Sequence, residues 1–220
     1  TLTSDKATAV NMTGSAVNLE NAALTKAATY DATALTGDGQ TTNKGLTIAG
    51  SLIATSTVKG SEFVDTVTVG ATGSTYNLNG GADAVTATQT SILGTTLDGG
   101  AGTDSLTLSD TAATVAALTI SDNSFSGVSN VETITLSGAI AGDLIFALGG
   151  YANAMATAAG GTLKITAAGL AQAVTGDITT FNASGLSGTN AVNLTLTNTA
   201  GIAAGNGGTS TYTGSAGNDT

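Results

Sequence analysis

The stretch Gly99-Gly100-Ala101-Gly102-Thr103-Asp104-Ser105-Leu106-Thr107 fits the nonapeptide G-G-x-G-x-D-x-U-x at every defined place, U being a large apolar residue. Each residue type has a physical task. Glycine lets the turn expose its backbone carbonyls, aspartate adds a carboxylate oxygen, and the apolar residue two places on starts a strand that packs inward. That donor set is all oxygen, which suits calcium, a hard cation that takes about six to eight oxygens. One turn cannot enclose such an ion, so neighbouring turns must contribute together.

Two further segments follow the same register in part: Leu78 to Thr86 with Gly81, Asp83 and Val85 in place, and Gly60 to Thr68 with Gly60, Asp65 and Val67 in place. Asp65 and Asp83 stand 18 residues apart, two nonapeptides and one full turn of a coiled ribbon, while Asp83 and Asp104 stand 21 apart. The metal candidates are therefore Asp65, Asp83 and Asp104 with Gly80, Gly99 and Ala101 in the intervening turns. Asp98, directly before the intact motif, is either an extra ligand or a cap on the preceding strand. Asp219 ends the opening half-motif Gly214-Ser215-Ala216-Gly217-Asn218-Asp219. For each of these aspartates the competing reading is a carboxylate that bonds to backbone amides of its own turn. Stacked carboxylates on neighbouring rungs would repel by about 1 kcal/mol in water and several-fold more where screening is poor. A bound dication would reverse that sign and couple binding to folding.

The elements that must position these turns are short strands. Thr or Ser alternates with Val, Leu or Ile over a few residues, as in Asp65-Thr66-Val67-Thr68-Val69, Asp104-Ser105-Leu106-Thr107-Leu108, Glu132-Thr133-Ile134-Thr135-Leu136 and Val192-Asn193-Leu194-Thr195-Leu196. Alternation puts the apolar side chains on one face and the hydroxyls on the other. Leu19 to Leu35 and Leu144 to Ala159 carry Ala and Leu at mixed spacing, and short helices are expected there. With 31 glycines and no proline, the chain suits many tight turns. The expected fold is all-β, a parallel β-solenoid of β-roll type with short helical insertions; a β-sandwich is the alternative, since short strands with frequent turns permit both.

A longer repeat runs through the chain. Thr29-Tyr30-Asp31-Ala32-Thr33-Ala34-Leu35-Thr36-Gly37 matches Thr180-Phe181-Asn182-Ala183-Ser184-Gly185-Leu186-Ser187-Gly188 at an offset of 151, and Gly60 to Thr66 matches Gly214 to Thr220 at 154. The order is preserved, which indicates a duplicated module. The expected divisions are 1–55 as the end of one module with a short helical segment, and 56–142 as a calcium-binding solenoid segment. Residues 143–212 then form a helical insertion and strands of the next module, and 213–220 the start of a further turn.

Composition narrows the function classes. A hydrophobic fraction of 41% predicts a folded chain, and 15 acidic residues against 5 lysines give a net charge of −10. Arg, His, Cys, Trp and Pro are absent. Without Arg and with this sign of charge, nucleic acid and anionic membrane are poor partners. Without His or Cys the usual general base, thiol nucleophile and soft-metal ligands are missing. Asp110, Asp122, Glu132 and Asp143 are available for carboxylate catalysis, but with no sugar-stacking Trp the expectation is a non-enzyme whose carboxylates sit in solvated turns. The chain opens Thr1-Leu2-Thr3 without a basic, apolar leader and reads as an internal fragment. Its longest uncharged run, Ile178 to Asn218, is made of Thr, Asn, Ser, Gly and Ala, so no transmembrane segment is expected. The aromatic residues are dispersed, and the matched places Tyr30 and Phe181 read as core anchors.

The Gly99 to Thr107 nonapeptide and the Gly214 to Thr220 half-motif resemble the RTX repeats of proteins secreted by the type I route. Gly127-Val128-Ser129-Asn130-Val131-Glu132-Thr133-Ile134-Thr135-Leu136 and Phe181-Asn182-Ala183-Ser184-Gly185-Leu186-Ser187-Gly188 are similar to recurring phrases of type I-secreted surface-layer proteins of Gram-negative bacteria. The resemblance implies an extracellular cell-surface protein that folds in calcium after export and self-assembles as a lattice or fibre, with cell-surface polysaccharide a further partner class. Large RTX adhesins share the vocabulary, so a stalk or extender module is the alternative. A single complete nonapeptide, in place of a run, departs from the RTX pattern.

Overall fold

The computed structural model describes the chain apart from residues 1, 5, 20–21, 25, 27, 50–51, 71, 111–117, 138–143, 161, 171–178, 185, 199–209 and 215. It divides into two compact units, Thr1–Leu106 with Gly127–Val131, and Thr107–Ser126 with Glu132–Thr220. The protein is mostly β with few helices, and its sheets are built from parallel strand pairs. This parallel pairing departs from the β-sandwich alternative, whose sheets are antiparallel.

In the first unit the chain lays strands alternately into two sheets. One sheet takes Ala9–Gly14, Thr29–Leu35, Thr57–Lys59, Thr75–Asn77, Thr96–Asp98 and Val128–Ser129 in that order. The other takes Val17–Leu19, Lys44–Ile48, Val64–Thr68, Ala84–Ala87 and the strand that begins at Ser105. Strand order follows chain order in both. Register then stacks like on like: Tyr30, Val58, Tyr76, Leu97 and Val128 form one buried column, and Ile48, Val67 and Val85 another. The alternate positions carry Thr29, Thr57, Thr75 and Thr96, also in register and none of them buried. These β-branched residues suit a pleated, half-buried surface.

The second unit has the same construction. Leu118–Ile120, Leu144–Ala147, Thr179–Asn182 and Ser210–Thr213 pair in chain order, as do Thr133–Leu136, Thr162–Leu170 and Ala191–Asn198. Ile134 stacks on Ile165, and the Phe125 and Phe146 rings pack at a centroid distance of 6.2 Å. The helix Gly150–Ala158 buries Ala152, Met155 and Ala156. Asp122 accepts from the backbone N–H of Gly149, Tyr151 and Ala152 at 2.7, 3.1 and 2.9 Å, so its carboxylate caps that helix.

The helix expected over Leu19 to Leu35 is not there. That stretch contains the strands Ala22–Leu24 and Thr29–Leu35, in which Tyr30, Ala32 and Leu35 point inward. Neighbouring strands on both sides supply its backbone bonds, and that pairing overrides the helix preference of its alanines. The second expected helix is correct from Gly150, but Leu144–Ala147 is a strand. The two segments matched at an offset of 151 behave alike within their own units: Ala32 and Ala183 are fully buried, and Gly37 and Gly188 adopt φ of +73° and +70°. No helix among the described residues is long and apolar enough to cross a membrane.

Candidate functional site

The three aspartates of the nonapeptide register form a buried column at the entry to the strands Val64–Thr68, Ala84–Ala87 and Ser105–Leu108. Asp65 is 0% exposed, Asp83 1% and Asp104 1%. Each reaches one rung back along the chain. Asp65 Oδ1 accepts from Leu46 N, Asp83 Oδ1 from Asp65 N and Asp104 Oδ1 from Asp83 N, all at 2.7 Å. The carboxylates thus take up backbone donors where the chain leaves a turn, which answers the need to pair every buried N–H.

The aspartates differ at their second oxygen. Asp65 Oδ2 accepts from Ser61 N at 2.7 Å, and the Ser61 hydroxyl donates to Oδ1 at 2.7 Å. Both Asp65 oxygens are satisfied by protein. Asp83 Oδ2 is equally buried and accepts no hydrogen bond from the protein. Burial pushes the Asp83 carboxyl up to about 8, with repulsion from Asp65 and Asp104 adding to the rise. Asp65 is raised by burial too, against the pull of the Leu46 and Ser61 donors. A buried carboxylate with one bare oxygen is the usual sign of a proton, a water or a cation at that place.

The turns that precede Asp83 and Asp104 stack directly. Gly80 pairs with Ala101 and Gly81 with Gly102, so the candidates Gly80 and Ala101 face each other across neighbouring rungs. Contact here is too close for side chains: a Cβ on Gly81 would lie 2.7 Å from the Phe63 carbonyl oxygen, and one on Gly99 2.7 Å from Asp104 Oδ2. Asp98 closes the turn in front of Gly99. Its Oδ1 accepts from Gly100 N at 3.1 Å and from Asn130 Nδ2 at 2.7 Å. Asp219 lies in the second unit, just after Ala216, Gly217 and Asn218, which line an open groove with Gly188 and Thr189.

Among the described residues no three carboxylates gather at one point. An ion at Asp83 would therefore take most of its oxygens from backbone carbonyls and water, as calcium does readily. The residues around Asp83 fit a hard cation, whereas those around Asp65 leave no carboxylate oxygen open. Of the carboxylates considered for catalysis, Asp122 is engaged as a helix cap and Asp143 lies outside the described residues.

Sequence reasoning did not single out Ser61, Asn77, Asn79 or Asn130, which complete these turns. Asn79 N donates to Asn77 Oδ1 at 3.2 Å, and Asn79 Nδ2 to the Gly60 carbonyl at 2.7 Å. The signal was present, since Asn77 and Asp98 occupy the same place before Asp83 and Asp104 and are in register on paired strands. No protein family, no curated protein and no solved structure matches the chain, and the site stands on its own geometry.

Proposed function

We propose that the chain is a calcium-stabilised structural module of an extracellular bacterial surface layer, a parallel β-solenoid that assembles with copies of itself. The observation that carries this reading is the buried Asp83 carboxylate with its bare Oδ2, held in the register of a calcium-type nonapeptide. Strands delivered alternately to two parallel sheets in chain order support the solenoid. A chain without His, Arg or Cys, with net charge −10, supports a cation-dependent structural role over catalysis. The two surface-layer phrases and the duplicated segments support a place in a repetitive, secreted array.

The test is a calcium titration of EDTA-stripped protein, following heat release, circular dichroism and light scattering, with magnesium as control. Calcium-selective heat and a gain in β signal, followed by scattering from ordered sheets, is the expected result. Binding without assembly would replace the surface-layer reading by that of an adhesin spacer. No calcium response would overturn the ion reading and leave Asp83 as a protonated turn residue.

A further inference from the structure

Three turns in one register close in two different ways, and the difference traces to two positions in each. In the turn before Asp65 the residue four places upstream is Ser61, whose N–H and hydroxyl both turn inward onto the Asp65 carboxylate. Before Asp83 that place is held by Asn79, and before Asp104 by Gly100; both adopt left-handed backbone, φ +65° and +94°. Their N–H groups face the other way, onto Asn77 Oδ1 and Asp98 Oδ1. Residue 59 in the first turn is Lys, in register with Asn77 and through it with Asp98, and it carries no acceptor. With nothing upstream to receive it, the Ser61 N–H goes to Asp65.

We propose that this pair of positions sorts the aspartates into two kinds: Asp65 is closed by Ser61, which stands where an ion would otherwise be needed, while the Asn77/Asn79 pair leaves Asp83 open to a divalent cation. The inference rests on the calcium reading for Asp83 and adds that Asp65 is not a ligand. An acceptor at the first place captures the amide of a residue able to adopt left-handed backbone, and the downstream carboxylate loses its donor. Asn and Gly adopt that backbone readily, and Ser does so at a cost. Ser61 itself is 0% exposed, and its hydroxyl also receives the Phe63 N–H at 3.1 Å, so the closed turn is a complete hydrogen-bonded unit. Calcium dependence is then confined to part of the ladder. The rung at Asp65 folds without metal and templates the rung at Asp83, whose Oδ1 it already engages through its own N–H.

Four variants of the full chain test this, each titrated with calcium by calorimetry and melted in EDTA. Asp65→Asn is expected to keep the wild-type number of calcium ions and to melt several degrees lower in EDTA, whereas Asp83→Asn is expected to lose one ion. Ser61→Gly, which removes the hydroxyl bond to Asp65 and leaves its amide in place, should melt lower in EDTA and keep the wild-type number of ions. The double variant Asn77→Lys/Asn79→Ser should melt higher in EDTA and bind one ion fewer. Loss of an ion in Asp65→Asn, or a double variant that binds as many ions as wild type, would overturn the proposal. Should wild type take up no calcium, the functional reading fails, and the EDTA melts alone then decide. A lower midpoint for Ser61→Gly with a higher one for the double variant upholds the two kinds of turn, and any other pattern rejects them.

Discussion

At the scale of the residue, the buried Asp83 carboxyl gives folding a pH dependence of definite sign. Burial pushes its folded carboxyl up to about 8, far above the value of about 3.9 for an unfolded aspartate. Between those values the folded state holds a proton that the unfolded state has released, so stability falls as pH rises through that window. In EDTA the melting midpoint is expected to drop from pH 5 to pH 8, read by circular dichroism. With calcium bound the carboxylate stays ionised, and the same scan is expected to flatten or reverse. Glycine positions give a second expectation. A Cβ on Gly94 would meet nothing within 4 Å, while one on Gly100 would crowd the Asn79 backbone; both have positive φ, +78° and +94°. Gly94→Ala therefore bears conformational strain alone, about 1 kcal/mol, and Gly100→Ala is expected to cost clearly more in denaturant titrations.

At the scale of the element, strands here are made by their neighbours. Short segments such as Thr57–Lys59 and Thr75–Asn77 have three residues each and hold no strand geometry alone. They are fixed because Val58 and Tyr76 stack in one buried column and because each strand finds hydrogen-bond partners on both sides. The helix Gly150–Ala158 likewise borrows its N-terminal acceptor from Asp122, about one rung earlier in the chain. Asp122→Ala leaves three backbone donors without that partner. It is expected to cost about 1–2 kcal/mol, the usual worth of an N-cap, and to reduce helical signal at 222 nm before the sheets melt. An unchanged midpoint would show that water replaces the cap at no cost.

At the scale of the whole molecule, ions act by mass action on a marginal folding equilibrium. One site held at a hundred times its dissociation constant adds about 2.7 kcal/mol. For a chain of this length that shifts the melting midpoint by roughly 5–10 °C, measurable by calorimetry across a calcium series. Fifteen carboxylates against five lysines also make copies of the chain repel one another at low ionic strength. Assembly in calcium is therefore expected to speed up as sodium chloride is raised to about 0.15 M, where the Debye length is about 8 Å. Scattering that falls over that range would point to assembly driven by charge pairing instead.

The sequence by itself determined the β-rich class, the alternating strands from Asp65 to Leu108, the glycine turns and the identity of the aspartates, because period-two patterning and turn chemistry are local properties. It misread Leu19 to Leu35, where alanine's local preference for helix gives way to ladder bonds from strands about 20 and 28 residues away in the chain. It named both Asp65 and Asp83 as metal candidates, since both occupy the same place in the nonapeptide. Only the tertiary structure separated them. Whether a carboxylate oxygen is satisfied depends on the direction of an amide four residues upstream, and that direction depends on whether residue 59 or residue 77 offers an acceptor. Such a choice is made jointly by φ, burial and the preceding turn, and no single position in the chain encodes it.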